Sequence, residues 1–419
     1  MEYLLRGDIC YSENLKTLIC KENAYLHIKD GLCQGVYDSL PKELSSVEIK
    51  DYSGDLILPG MVDLHLHAPQ YGFRGTKMDL ELLDWLNVNT FPEEAKYQNL
   101  DYAERGYQDF VEDLRGSATT RAVIFATLHK DATLLLMKLL EESGLVSYVG
   151  KVNMDRNSPE YLTEHTAEES LKNTKEWLSE IPKEWQNCKP ILTPRFTPTC
   201  SDALMEGLGK LAKEYKLPVQ SHLSENLGEI AWVKELCPDA KHYGDTYDRY
   251  GLLENSIMAH CVYTEGEELS ALKARGTMIC HCPQSNTNLC SGAAPIRYFL
   301  EENVKVGLGT DVAGGANLSM LRAITDAISV SKLRFRLMDQ SLVPLTLEEA
   351  FCLATLSGGS FFGKVGSFLP GYEADALVFH EKRRSVRKQT VKERLEVLLY
   401  TGEESARLQA KFVQGRQLF

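Results

Sequence analysis

The 419-residue sequence is short of basic side chains: 46 Lys and Arg face 59 Asp and Glu, for a net charge of −13. Such a surface repels phosphate backbones, which argues against nucleic acid as a partner. Apolar runs long enough to cross a bilayer are missing, so no membrane association is expected. The 11 cysteines are odd in number and scattered through apolar stretches, without disulfide-framework spacing. The opening MEYLLRGDIC lacks the pattern of a secretory signal. These absences lead to the expectation of a cytoplasmic protein with free thiols. Cys280 and Cys282 flank His281. No second pair at zinc-site spacing accompanies them, so they read as ordinary buried cysteines. A Gly-rich phosphate loop after an early strand is also absent, as are internal repeats and low-complexity tracts.

What is present is 43% apolar residues, enough for a large domain and a smaller one. Short β-rich runs recur at 61–67, 121–127, 146–154, 190–196, 218–224, 256–262, 277–283 and 305–311. Amphipathic stretches such as 204–215 and 226–236 lie between most of them. Eight strands alternating with helices predict a (β/α)₈ TIM barrel, with a doubly wound open sheet as the alternative. Residues 74–118 are too long for one crossover and carry two predicted helices, around DLELLDWL and AERGYQDFVEDL. An insertion there is expected to lie over the active face as a lid. The flanks look different, with short strands and turn signals that read as hairpins. The expected division is therefore a catalytic barrel over 59–365 and a composite β-sandwich domain formed by both termini, 1–58 and 366–419.

Within MVDLHLH (61–67), His65 and His67 share one face of a strand. With 10 His in the chain, chance alone gives such a pair in roughly one chain in four, so context must decide. His222, His260 and Asp311 stand at the C-terminal ends of the fifth, sixth and eighth predicted strands, where barrel active sites lie. Singly, each has a bland reading: His222 or His260 a hydrogen-bonded core histidine, Asp311 or Glu225 a helix cap. Together, three imidazoles and a carboxylate suit one divalent ion, Zn²⁺ first and Fe²⁺ second. Such an ion lowers the pKa of a bound water from about 15.7 toward about 7. A nearby carboxylate can then shuttle protons, and Glu225 and Asp311 are both available. His27, His165, His242 and His380 fall in flanks or helices and read as structural. So do His129 and His281, of which His281 is the nearer to the expected pocket.

The pattern resembles the amidohydrolase superfamily over the whole chain, including the LPGMVDLHLH and LPGYEADALVF junction segments. Two-metal members place a carboxylated lysine after the fourth strand. Here that strand ends in PRF, with Arg195, so the resemblance points to the mononuclear branch. Within it, HAPQY (67–71), PRF (194–196), SHLSEN (221–226), MAHCV, HCPQSN (281–286) and GLGTDVAGG (307–315) resemble the guanine deaminases. The resemblance implies hydrolysis of guanine to xanthine and ammonia by a metal-activated hydroxide, in purine catabolism or salvage, and suggests a homodimer. It implies His65, His67, His222 and Asp311 as metal ligands, and Glu225, Asp311 and His260 as catalytic residues. It assigns Gln70, Arg195, Phe196, His222, Glu225, His260 and Asp311 to substrate binding. His260 is either a direct ligand or, as favoured, a hydrogen-bond partner of the reacting oxygen. Phe196 offers a stacking ring or a backbone N–H. Rival readings are a hydrolase of another heterocycle, such as a pterin, an oxidised guanine, cytosine or a triazine, and a scaffold without catalysis. The H-x-E with P-C-x-x-C pattern of base-flipping zinc deaminases is absent.

Overall fold

The computed structural model describes residues 1–383 and 385–419. In chain order the strands are β1 Glu2–Asn14, β2 Thr17–Lys29, β3 Leu32–Tyr37, β4 Ile49–Pro59, β5 Met61–His67, β6 Thr119–Phe125, β7 Val146–Gly150, β8 Val152–Asn153, β9 Cys188–Pro190, β10 Thr193–Pro194, β11 Val219–Leu223, β12 Ser256–His260, β13 Met278–His281, β14 Lys305–Leu308, β15 Ala376–Glu381, β16 Ala406–Val413 and β17 Arg416–Gln417.

Two four-stranded sheets, β5-β6-β7-β9 and β11-β12-β13-β14, are parallel throughout. Parallel neighbours need helical crossovers. The helix Asp202–Tyr215 supplies one, with Leu204, Leu208 and Leu211 buried at helical spacing. The two sheets meet along both edges. At one, the Asp311 N–H donates to the His65 carbonyl and the His67 N–H to the Val312 carbonyl, each at 2.8 Å. At the other, Leu192 bridges Val219 in parallel register. The predicted fourth strand, 190–196, is reduced to β9 and β10. Pro190 and Pro194 have no N–H to give a ladder, which accounts for the interruption.

β8 and β10 pair in parallel as a short two-stranded sheet, and the other seven strands form one sheet, β17-β16-β15-β4-β1-β2-β3, so both termini share it. Asp30 and Gly31 close the β2–β3 hairpin at φ 51° and 80°, the left-handed pair that a two-residue turn requires. The hairpins-only expectation for the flanks is corrected in two places. β1 pairs with β4 in parallel. A helix, Val391–Thr401, also stands between β15 and β16, where only short strands and turns were expected. Thr390 and Glu393 form a capping box at its start, and Val391, Leu395, Leu398 and Leu399 are buried along it.

The insertion holds α1 Leu82–Trp85, a π-helical turn Leu86–Thr90, α2 Phe91–Glu94 and α3 Leu100–Gly116, the last capped by the Asn99 side chain. Two buried cations tie the seven-stranded sheet to the parallel strands. Arg121 on β6 pairs with Asp375 at 2.7 Å and Glu373 at 2.8 Å. The Lys411 Nζ on β16 donates to the carbonyls of Leu114, Arg115 and Thr119 at 3.5, 2.7 and 2.8 Å. Among the described residues no helix is long and apolar enough to cross a membrane.

Candidate active site

His65 and His67 leave β5 on one face, and β11, β12 and the loop after β14 deliver His222, His260 and Asp311 to the same place. The Nε2 atoms of His65 and His67 lie 3.3 and 3.4 Å from Asp311 Oδ1. The His222 Nδ1–H is directed at the Arg195 carbonyl, 2.6 Å away, so its Nε2 is a bare acceptor facing His67 Nε2 at 3.3 Å. Acceptors converging on a desolvated point are costly unless a cation or a shared proton lies among them. Three imidazoles and one carboxylate are the donor set of a borderline-soft divalent ion.

Ligand atoms of His65, His67 and Asp311 all lie within 4.8 Å of one another, as do those of His65, His222 and His260. Cys282 makes a third such group with His260 and Asp311. It is buried, as its sequence context suggested, and burial pushes its thiol well up.

The local backbone is strained to achieve this. Ser224, His260 and Asp311 adopt φ of 47°, 74° and 49°, a region that side-chain-bearing residues rarely occupy. Gly309 precedes Asp311 because a Cβ there would meet the Cys280 Sγ at 2.6 Å and the His65 Cβ at 3.0 Å.

Desolvation pushes the imidazoles of His65, His67 and His222 down, which keeps them neutral and able to ligate. It pushes the Glu225 carboxyl up, with the Asp311 charge adding to the effect. Glu225 therefore keeps a proton to higher pH than an exposed carboxyl. Its Oε1 accepts from the Ser291 hydroxyl at 3.1 Å, and its Oε2 lies 3.4 Å from His260 Nε2. The Glu225 N–H is anchored on Glu229 Oε2 at 2.9 Å. His260 Nδ1 sits 2.8 Å from Asn286 Oδ1, which as acceptor fixes the proton on Nδ1 and turns a bare Nε2 inward.

A cavity opens on this cluster. His67, Gln70, Arg195, Phe196, His222, Glu225, His260 and Asp311 line it, so eight of the nine expected site residues meet there. His65 lies beneath, through Asp311. Leu82, Trp85 and Leu86 of the insertion form part of its wall. His281 is buried but outside that lining. The Phe196 ring is edge-on to Trp232 at 6.2 Å.

Sequence reasoning missed Glu94, Glu229, Asn286 and Ser291. Asn286 lay within a quoted motif, and Glu229 follows Asn226 at capping-box spacing. Glu94, in an acidic stretch of the insertion, carried no signal. It pairs with Arg195 at 2.6 Å and accepts from Gln70 Nε2 at 2.8 Å.

A family model described as the amidohydrolase family matches residues 56–404. The chain is 44% identical over 345 residues to guanine deaminase of Rattus norvegicus, covering 80% of this chain and 75% of the relative. It is 36% identical over 413 residues to guanine deaminase of Escherichia coli K12, covering 95% and 91%. The crystal structure of guanine deaminase from C. acetobutylicum, with guanine bound in its active site, superposes over 100% of both chains with a TM-score of 0.97 at 43% identity.

Proposed function

The chain belongs to the amidohydrolase family, and on that premise we propose that it hydrolyses guanine to xanthine and ammonia. One observation carries this reading: the imidazole–carboxylate cluster opens into a cavity that Gln70, Arg195 and Glu225 also line, in a chain that matches guanine-deaminating relatives over most of its length.

His65, His67, His222 and Asp311 would hold one divalent ion, Zn²⁺ by preference and Fe²⁺ second, whose contribution is to make a water nucleophilic near neutral pH. Arg195 donates to the purine carbonyl oxygen through a charge-assisted bond. Gln70 presents both an amide donor and an acceptor to the ring edge. Phe196 closes the side of the cavity. Asp311 takes the proton of the attacking water. Glu225 protonates the ring nitrogen beside the carbon that bears the amine, which lets the ring accept electrons as the C–O bond forms. His260, held through Asn286, steadies the reacting oxygen at its Nε2. Glu225 or Asp311 then passes a proton to the amine, the C–N bond breaks, and ammonia leaves. Glu225 is suited to this shuttle because its raised affinity for a proton is matched to a task near neutral pH.

The two parallel sheets, meeting along both edges, support a (β/α)₈ barrel over residues 59–365. The seven-stranded sheet, bulged between Gly7 and Ile9, supports a composite β-sandwich domain from 1–58 and 366–419. Eleven free cysteines fit the cytoplasm. A homodimer accords with exposed Leu333 and Leu337, four residues apart on one helix, beside exposed Met338. The deciding experiment follows ammonia release together with the loss of guanine's ultraviolet absorbance, with Glu225→Gln as the blank. Conversion lost in the blank is the expected result. No conversion by protein holding about one metal per chain would remove guanine as the substrate.

A further inference from the structure

Glu94 is left without a task by the reaction above, and we propose that it is the positioning residue that sets how Arg195 and Gln70 meet the base. This inference rests on the guanine reading. Glu94, Arg195 and Gln70 are 1%, 2% and 2% exposed, so water does not compete for their hydrogen bonds. The carboxylate grips the guanidinium at two points: Arg195 Nη1 donates to Oε2 at 2.6 Å and Nη2 to Oε1 at 3.1 Å. A two-point grip fixes the plane of the guanidinium and leaves three of its five N–H groups for other acceptors.

The same Oε1 accepts from Gln70 Nε2 at 2.8 Å, while Gln70 Oε1 accepts the Ala313 N–H at 3.3 Å. Turning the amide over would set its oxygen against the carboxylate and its NH₂ against an N–H. Glu94 therefore fixes which end of the amide donates and which accepts. The cavity then offers a fixed pattern of donors and acceptor, suited to a carbonyl beside a ring N–H, which is the edge guanine presents.

Charge points the same way. Without Glu94, Arg195 would be a buried, unpaired cation next to the ligand cluster, a costly arrangement. A second brace comes from the same short helix, α2, whose Phe91 ring lies 5.1 Å from the Arg195 guanidinium carbon. Gln70 and Arg195 sit at strand ends, whereas Glu94 comes from the insertion. The insertion thus sets the recognition chemistry as well as walling the cavity.

The test compares guanine with 2-aminopurine, which keeps the amine and the ring but lacks the carbonyl and its neighbouring N–H. Native protein, Glu94→Gln and Glu94→Asp are assayed for kcat/KM, or for Ki where 2-aminopurine only inhibits, with metal content and melting temperature measured in parallel. In Glu94→Gln, guanine kcat/KM is expected to fall about a hundredfold, the scale of a misplaced binding group. The 2-aminopurine value should change little, so selectivity collapses. Glu94→Asp, which keeps the charge but is one methylene short, should recover part of that selectivity. It also carries the test should Glu94→Gln not fold. Equal losses on both compounds, or an unaltered ratio, would overturn the role of Glu94 and leave the guanine reading standing. Failure of metal-loaded native protein to convert guanine would overturn both.

Discussion

At the scale of single residues, the division of labour between two carboxyls is the sharpest feature of the site. Asp311 sits against His65 and His67, whereas Glu225 is buried beside Asp311 and accepts from Ser291. Glu225→Gln keeps the shape and removes the titrating group. Turnover is expected to fall by about 10²–10⁴ or more, with metal content by elemental analysis unaltered. Loss of metal would make Glu225 a ligand and reverse the assignment. Asn286→Ala removes the acceptor that fixes the His260 proton. A kcat loss of about tenfold, the equivalent of one hydrogen bond's 1.4 kcal/mol, is expected in steady-state assays, with little change in KM. The site residues legible in the sequence were those whose type and strand position coincided: His65 and His67 two apart, and His222, His260 and Asp311 at strand ends. Glu94 was not legible, because its partners are 24 and 101 residues away and only the folded insertion joins them.

Among the elements, the parallel strands with clear apolar patterning were legible, while those shaped by context were not. Pro190 and Pro194 thinned the fourth strand. The helix Val391–Thr401 went unread because its apolar residues border turn residues that favoured a hairpin, although Thr390 and Glu393 signalled a cap. α3 illustrates a tertiary rescue of an element's end. The Arg115 carbonyl, at its C-terminal turn, accepts from the Lys411 Nζ, which also reaches the Leu114 carbonyl already served by the Ser117 N–H and hydroxyl. Burial pushes the Lys411 amine down to about 7, so the position is costly as well as useful. Lys411→Met takes that donor from the Arg115 and Thr119 carbonyls, while the Leu114 carbonyl keeps the Ser117 N–H and hydroxyl. A destabilisation of about 2–4 kcal/mol is expected, read as a lower melting temperature. Activity per folded molecule should be unchanged, because no atom of Lys411 lines the cavity.

For the whole molecule, the proposed homodimer makes its own prediction. Sedimentation should give a mass near twice 47.1 kDa, and Leu337→Asp, which places a charge in the exposed apolar face, should shift the population toward monomer. The flanks stood apart in the sequence because they lacked the strand–helix alternation of the middle; the parallel β1–β4 pair was not legible, since it depends on a long-range register.

The sheet order also has a consequence in time. β4 is flanked by β1 and β15, and more than 300 residues separate β4 from β15. During synthesis at about 5–20 residues per second, the β4 edge stays open for on the order of half a minute after it emerges. An apolar strand with unpaired N–H and C=O groups is a template for wrong partners during that interval. The nascent chain therefore needs either rapid closure of the parallel strands or a chaperone over β4, and chains released before Ala376 should be found in aggregates.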